Sequence, residues 1–297
     1  MKFQNLAELV ALADQQGKPI YEIMIEEHVE ETGATREKVI QQMTESFDVM
    51  MQSVERGLTE DIRSFSGLTG GDAKRVYEYA QKGKTLLGKQ ATEAVAMALS
   101  TSEVNAAMGL VVATPTAGSC GILPGVLSSL KGSLGLEQEQ LVLGMFTAAA
   151  VGYVVANNAS ISGAGGGCQA EVGSATAMAA AAAVELAGGS PEAAIQAAGL
   201  ALKNVLGLVC DPVAGLVEVP CIIRNGFGSV LALAGADMAL AGVRSVIPPD
   251  EVILAMYNIG KIMPVELRET AMGGLADTPT GRKLEKQVYG DQEPKEA

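Results

Sequence analysis

The sequence predicts an all-α protein, a single large helical domain of Ala- and Gly-rich packed helices with polar loops buried inside it. Three observations carry this prediction. Apolar residues recur every three to four positions, and no long segment shows strand alternation. Ala, Gly, Val, Leu and Met carry the apolar content, while aromatics make up 4% and Trp is absent, which suits helices in close approach. Clusters of Gly, Pro, Ser and Thr punctuate the periodic runs. At 297 residues the chain is long enough for a sizeable core.

Residues 1–62 read as a charged helical arm. Leu6, Leu9, Val10 and Leu12 fit one face of a short helix that stops near Gly17-Lys18-Pro19. Ile20 to Glu31 gives a second helix, which carries His28, the chain's single histidine, among Glu26, Glu27, Glu30 and Glu31. His28 is expected to be solvated, with the acidic neighbours favouring its charged form. Thr35 has the chemistry of an N-cap, but Lys38 stands where a capping box needs Glu or Gln. The helix it starts runs through Val39, Met43, Phe47, Met50 and Val54.

Residues 63–275 read as the helical core. Ser64 to Asp72 is a Ser/Gly loop, with Asp72 placed to cap a helix from Ala73. Lys74 and Arg75 fall in that helix's first turn and oppose its dipole, a mismatch that a nearby anion would relieve. Thr92 to Met108 is a helix, followed by a loop from Val111 to Gly125 rich in Thr, Ser, Gly and Pro. Flanked by apolar helices, that loop is expected inside the fold, where its backbone groups need partners such as a polar ligand. Further helices follow over Glu139 to Ala156, Glu171 to Leu186, Pro191 to Val205, Cys221 to Leu240 and Pro249 to Ile262. Ser190 followed by Pro191 fits the start rule for its helix. Residues 276–297 read as a charged, frayed tail.

Composition excludes several function classes. A net charge of -13 disfavours nucleic acid and an anionic membrane surface as partners. No charge occurs between Glu139 and Glu171, but the apolar run Leu141 to Ala156 is short against the about 20 residues of a bilayer span. A buried core helix is expected there, and no membrane partner. Glu8 interrupts what would be the apolar region of a signal peptide, so a cytoplasmic location with reduced thiols is expected.

Three of the four cysteines, Cys168, Cys210 and Cys221, stand at helix ends beside Gly or Pro. Gly163 to Gly167 leaves room for backbone to approach a bulky inorganic group, and Pro212 and Pro220 break the chain beside the other two. No CxxC pair is present, so the residues alone leave open whether these are cluster ligands or buried core cysteines. Three ligands would leave one iron of a four-iron cluster open to act as a Lewis acid. Cys120, the fourth cysteine, belongs to the Thr/Gly loop.

The segments Ser162-Gly163-Ala164-Gly165-Gly166-Gly167-Cys168-Gln169-Ala170-Glu171-Val172-Gly173, Cys210-Asp211-Pro212-Val213-Ala214-Gly215 and Val217-Glu218-Val219-Pro220-Cys221 occur in that order, after the loop Ala113-Thr114-Pro115-Thr116-Ala117-Gly118. On these residues the chain resembles the α subunit of bacterial iron–sulfur L-serine dehydratases, from about Ser64 to Arg268. The resemblance implies a 4Fe–4S lyase that converts L-serine to pyruvate and ammonia without pyridoxal phosphate. It implies Cys168, Cys210 and Cys221 as cluster ligands. It implies Thr114, Thr116 and Gly118 as substrate contacts, with Asn105 and Lys74 as further candidates. The α/β regulatory-type domain of longer single-chain relatives is missing, so a separate β subunit is expected, and with it the general base. No cysteine follows Cys221, so the resting fourth ligand of some single-chain relatives is also missing.

Other functions stay open on the residues. A desulfidase acting on L-cysteine could use the same cluster. A pyridoxal-phosphate lyase would use Gly163 to Gly167 as a phosphate cradle and need a lysine such as Lys203. A non-catalytic helical scaffold would need none of this chemistry.

Overall fold

The computed structural model describes residues 1–290, and these are helical throughout with no strand among them. The arm comprises α1 (Leu6–Gln16), α2 (Ile20–Thr32) and α3 (Arg36–Thr59). The core follows with α4 (Asp72–Gln81), α5 (Lys89–Ala106), α6 (Ile122–Leu134), α7 (Gln138–Asn158), the short α8 (Gly163–Gly166), α9 (Ser174–Leu186) and α10 (Pro191–Lys203). It continues with α11 (Cys221–Leu240), α12 (Pro249–Ile262) and α13 (Pro279–Tyr289).

Helix α9 is the axis of the bundle. Every residue from Ser174 to Val184 is buried, and α6, α7, α10 and α11 pack around it. Its alanines permit this because a helix with small side chains on all faces can be surrounded on all faces. Close approach recurs between α5 and α6: a Cβ on Gly121 would lie 2.1 Å from the Ala98 carbonyl oxygen. Helix α7 is the one described helix long and apolar enough to cross a membrane, and most of its apolar window is buried against its neighbours. The arm is no separate unit. Phe3, Leu6, Ile23, Phe47 and Met50 share one continuous hydrophobic core with α7, α9 and α10.

Carboxylates from distant helices anchor the arm and α4. Asp250 of α12 accepts from the Leu6 and Ala7 N–H groups at 2.8 and 3.0 Å. Glu185 of α9 accepts from Ile20 and Tyr21 at 2.6 and 3.2 Å. Glu103 of α5 accepts from Asp72 and Ala73 at 2.7 and 3.4 Å. Each satisfies helix-start donors that have no intrahelical partner. The expected Asp72 cap is therefore corrected: Gly71 is the N-cap, the buried Glu103 carboxylate accepts from the first N–H groups, and Lys74 and Arg75 pair with Asp61 and Asp72. Thr35 and Ser190 cap α3 and α10 as expected.

Two further expectations are revised. The loop expected to run to Gly125 ends earlier, because α6 starts at Ile122. Pro124 sits in that first turn, where a missing N–H costs no hydrogen bond. The tail expected to fray from residue 276 instead forms α13 as far as Tyr289, whose hydroxyl donates to the Ala214 carbonyl at 3.0 Å. Thr278 caps that helix, with Pro279 at its start. The rest of that expectation, residues 291–297, lies outside the described residues.

Candidate active site and metal centre

Backbone geometry at three breaks in the helical pattern brings Cys168, Cys210 and Cys221 together. Ser162 caps the four-residue α8 by accepting from Gly165 N–H at 3.1 Å, and Gly167 then turns the chain with φ at 77°. Cys168 follows and leads into a π-helical turn, Gln169–Gly173, a geometry found often at functional sites. The wholly buried Gln169 side chain donates to the Gly166 and Met256 carbonyls at 2.9 and 3.0 Å and accepts from Gly207 N–H at 2.8 Å. It thereby ties the Cys168 turn to the strand-like segment that carries Cys210.

Cys210 pairs across a single parallel bridge with Arg268. Its N–H donates to the Leu267 carbonyl at 2.8 Å, and its carbonyl accepts from Glu269 N–H at 2.7 Å. Cys221 opens α11 directly after the cis Val219–Pro220 bond. One turn on, the buried Asn225 carboxamide donates to the Gly118 and Cys221 carbonyls at 2.8 and 2.9 Å and accepts from Gly121 N–H at 2.9 Å. The Thr/Gly loop is thus fastened to the helix that bears Cys221. The Ser64–Asp72 loop docks beside it, where Ser66 and Thr69 hydroxyls donate to buried Glu218 at 2.8 and 3.1 Å.

The three thiols act on one another electrostatically. Burial pushes Cys210 and Cys221 far up, and each is pushed further by Cys168, Glu171 and Glu269. Cys168 rises to about 11, mainly by burial, with the Arg224 guanidinium pulling against the shift. Cys120 is separate: it is wholly buried, and burial raises it to about 12.

Two carboxylates border the trio. Glu171 is buried, its Oε1 accepts from Thr116 Oγ1 at 2.7 Å, and its Oε2 lies 4.0 Å from Cys210 Sγ. Burial raises its pKa, opposed by the Thr116 hydrogen bond and reinforced by Glu269. Glu269 is held with φ at 66°, an uncommon conformation for a residue with a side chain. Gly163 faces all these groups. A Cβ there would lie 2.7 Å from Cys210 Sγ, 2.9 Å from Glu171 Oε2 and 3.1 Å from Glu269 Oε2.

These residues suit an iron–sulfur cluster. Thiols buried beside carboxylates stay protonated unless a strong positive charge joins them, and metal ligation is the usual source of that charge. The missing side chain at Gly163 lets its backbone pack closely against Cys210 Sγ and the Glu171 carboxylate. Among the described residues no group of three His, Cys, Asp or Glu side chains is gathered as a single ion would require. A four-iron cluster makes no such demand, because each thiolate binds a different iron.

Residues 15–276 match the serine dehydratase alpha chain family. The chain belongs to this family. Relatives include a probable L-serine dehydratase alpha chain of Bacillus subtilis, 55% identical over 97% of this chain and 96% of that protein. The L-serine dehydratase alpha chain of Peptoniphilus asaccharolyticus is 45% identical, covering 93% of this chain and 95% of its own length. The L-serine dehydratase of Streptomyces coelicolor is 39% identical over 92% of this chain but is matched over only 60% of its own length.

Within this family member the expected substrate contacts do not all meet. Thr116 bonds Glu171, and Gly118 lies against it: a Cβ on Gly118 would come within 3.1 Å of Glu171 Oε1. Asn105 reaches the same loop, donating to the Ala117 carbonyl at 3.3 Å. Thr114 is buried and turned inward, its carbonyl accepting from Ser119 Oγ at 3.1 Å and its hydroxyl reaching the Cys120 carbonyl at 3.5 Å. Lys74 stands apart. It pairs with Asp61 at 3.4 Å and lines a cavity of about 440 Å³ with Arg63, Gly71 and Arg75. His28 lines another cavity with Met24, Met43 and Phe146, between the arm and α7.

Glu171, Glu269, Arg224 and Asn225 were not assigned roles on the sequence. For Glu171 a signal was present, since it is the first charge after a long uncharged stretch and stands three residues from Cys168. Nothing in the spacing pointed to Glu269 or Arg224.

Proposed function

We propose that this chain is the catalytic subunit of an L-serine ammonia-lyase, eliminating water from L-serine to give, after hydrolysis, pyruvate and ammonia. Cys168, Cys210 and Cys221 would hold a 4Fe–4S cluster. The observation that carries the proposal is the placement of these buried thiols, from three remote segments, close enough to Glu171 and to one another to interact, with Gly163 packed against Cys210 Sγ. Family membership and the names of the alpha-chain relatives support it.

Held by three protein thiolates, such a cluster supplies a Lewis-acidic iron that makes the β-hydroxyl a better leaving group. The chain's own residues do the rest. Glu171, oriented by the Thr116 hydroxyl, is the carboxylate that would accept the α-proton at its Oε2 edge. A general base within this chain is thus an alternative to one lent by a partner. Thr116, Gly118 and Asn105, on the loop side, would bind the amino-acid backbone of the substrate. Burial of Glu171 keeps water from competing for its proton.

A separate β chain would complete the enzyme. Support comes from the alpha-chain designation of the relatives and from the Streptomyces protein, whose length exceeds the region this chain matches.

The test is anaerobic reconstitution with iron and sulfide, followed by assay with and without a candidate β chain. Uptake of about four irons per chain is expected. Pyruvate from L-serine is expected to exceed sulfide from L-cysteine, which separates this activity from a desulfidase. Wild-type iron uptake by a Cys168→Ser, Cys210→Ser, Cys221→Ser variant would falsify the proposal.

A further inference from the structure

Arg224 occupies a position that is unfavourable twice over. It stands in the first turn of α11, where a positive charge opposes the helix dipole, and burial works against its charge. A buried guanidinium persists only when its donors are well matched. Here Nη1 donates to the Val209 carbonyl and Nη2 to Asp211 Oδ1, each at 2.8 Å. Val209 and Asp211 are the two neighbours of Cys210, so the planar fork straddles that cysteine. The same guanidinium lies close enough to Cys168 to pull its thiol pKa down against the effect of burial. Its own helix begins at Cys221, one turn away.

Asp211 extends the connection. Buried itself, it accepts from Leu275 N–H through Oδ2 at 2.8 Å while pairing with Arg224 through Oδ1. One side chain therefore holds both flanks of Cys210, stands beside Cys168, is anchored next to Cys221, and reaches through Asp211 to the turn at residues 274–277.

We propose that Arg224 is the positioning residue of the metal centre, holding Cys168, Cys210 and Cys221 in register in the cluster-free chain. The inference rests on the assignment of these cysteines as the cluster site. It assigns to Arg224 a task that lysine performs poorly, because only a planar fork donates to two acceptors on either side of one residue. With a cluster bound, its positive charge beside Cys168 would draw charge from that ligand, which would favour the reduced state.

The experiment uses the full-length chain and its Arg224→Met, Arg224→Lys and Asp211→Asn variants, with helix content checked by circular dichroism. Cluster-free protein is treated with dibromobimane, which fluoresces strongly after bridging two nearby thiols. Reconstituted protein is challenged with a chelator, and its midpoint potential is measured. Arg224→Met is expected to retain its helices, bridge more slowly, lose iron retention by about 10- to 100-fold and show a lower potential. Arg224→Lys should recover part of the potential and little of the bridging rate. Wild-type bridging and retention in Arg224→Met overturn the proposal. If that variant does not fold, unchanged bridging in both Arg224→Lys and Asp211→Asn overturns it equally. A wild-type chain that takes up no iron refutes the cluster assignment instead, and the bimane comparison, which needs no metal, still decides the role of Arg224.

Discussion

Replacing Gly163 by alanine should separate the fold from the metal centre. The added Cβ would sit 2.7 Å from Cys210 Sγ and 2.9 Å from Glu171 Oε2. Heavy atoms in contact prefer about 3.5–4.0 Å, so both neighbours must retreat by close to an ångström. Overpacking of this kind costs about 1–3 kcal/mol. Gly163 has no positive φ and begins a helical turn, so alanine's better propensity returns about 0.5–1 kcal/mol. The net loss of stability is about 0–2 kcal/mol, which a domain of this size survives. The proposed metal centre would be less tolerant, since ligand distances hold to about ±0.2 Å. Urea unfolding of the apo-protein should therefore show a small shift, while anaerobic reconstitution shows iron affinity reduced about 10-fold or more. Gly132→Ala is the control. Nothing lies within 4 Å of its added Cβ, and it should stabilise α6 by about 0.5–1 kcal/mol with normal iron uptake. Iron content and absorbance in Gly163→Ala equal to wild type would refute the assignment of this glycine to the cluster space.

Two further outcomes test the fold. Asp250→Ala removes the acceptor for Leu6 and Ala7 and should cost about 1–2 kcal/mol, with faster amide exchange in the first turn of α1. Glu185 is raised above the ordinary carboxylate value of 4.5, mainly by burial, so the folded chain holds its proton more tightly than the unfolded one. Its contribution to stability is therefore full below 4.5 and is lost as pH rises through the folded value. In Glu185→Gln, which keeps an oxygen acceptor without the charge, that loss should vanish. Unfolding free energies across this range should then diverge from wild type as pH rises; parallel curves would contradict the argument from burial.

Some parts of this molecule were legible along the chain because their causes are local. The 3.6-residue periodicity, the capping chemistry of Thr35 and Ser190, and the Ala-rich run of α9 each act within one helix. The beginning of α6 was missed where two local cues conflict. Pro124 signals a break in a loop and is equally at home in a first helical turn, and only packing against α5 decides between them. Tyr289 shows the same limit at the other end, because the charged sequence of α13 reads as a solvated tail until its hydroxyl finds the Ala214 carbonyl.

By itself the sequence determined an all-helical chain with glycine- and proline-bordered cysteines, since turn chemistry and helix periodicity are properties of neighbouring residues. Tertiary structure alone decided that the Cys168 turn, the Cys210 segment and the start of α11 meet, and that Glu171, Glu269 and Arg224 stand around them. It also decided that Asp250, Glu185 and Glu103 cap helices remote from them in sequence. Contacts of this kind have no period and no fixed spacing: they exist because a buried charge or an unpaired helix-start N–H must find a partner, and the packed bundle brings one within reach.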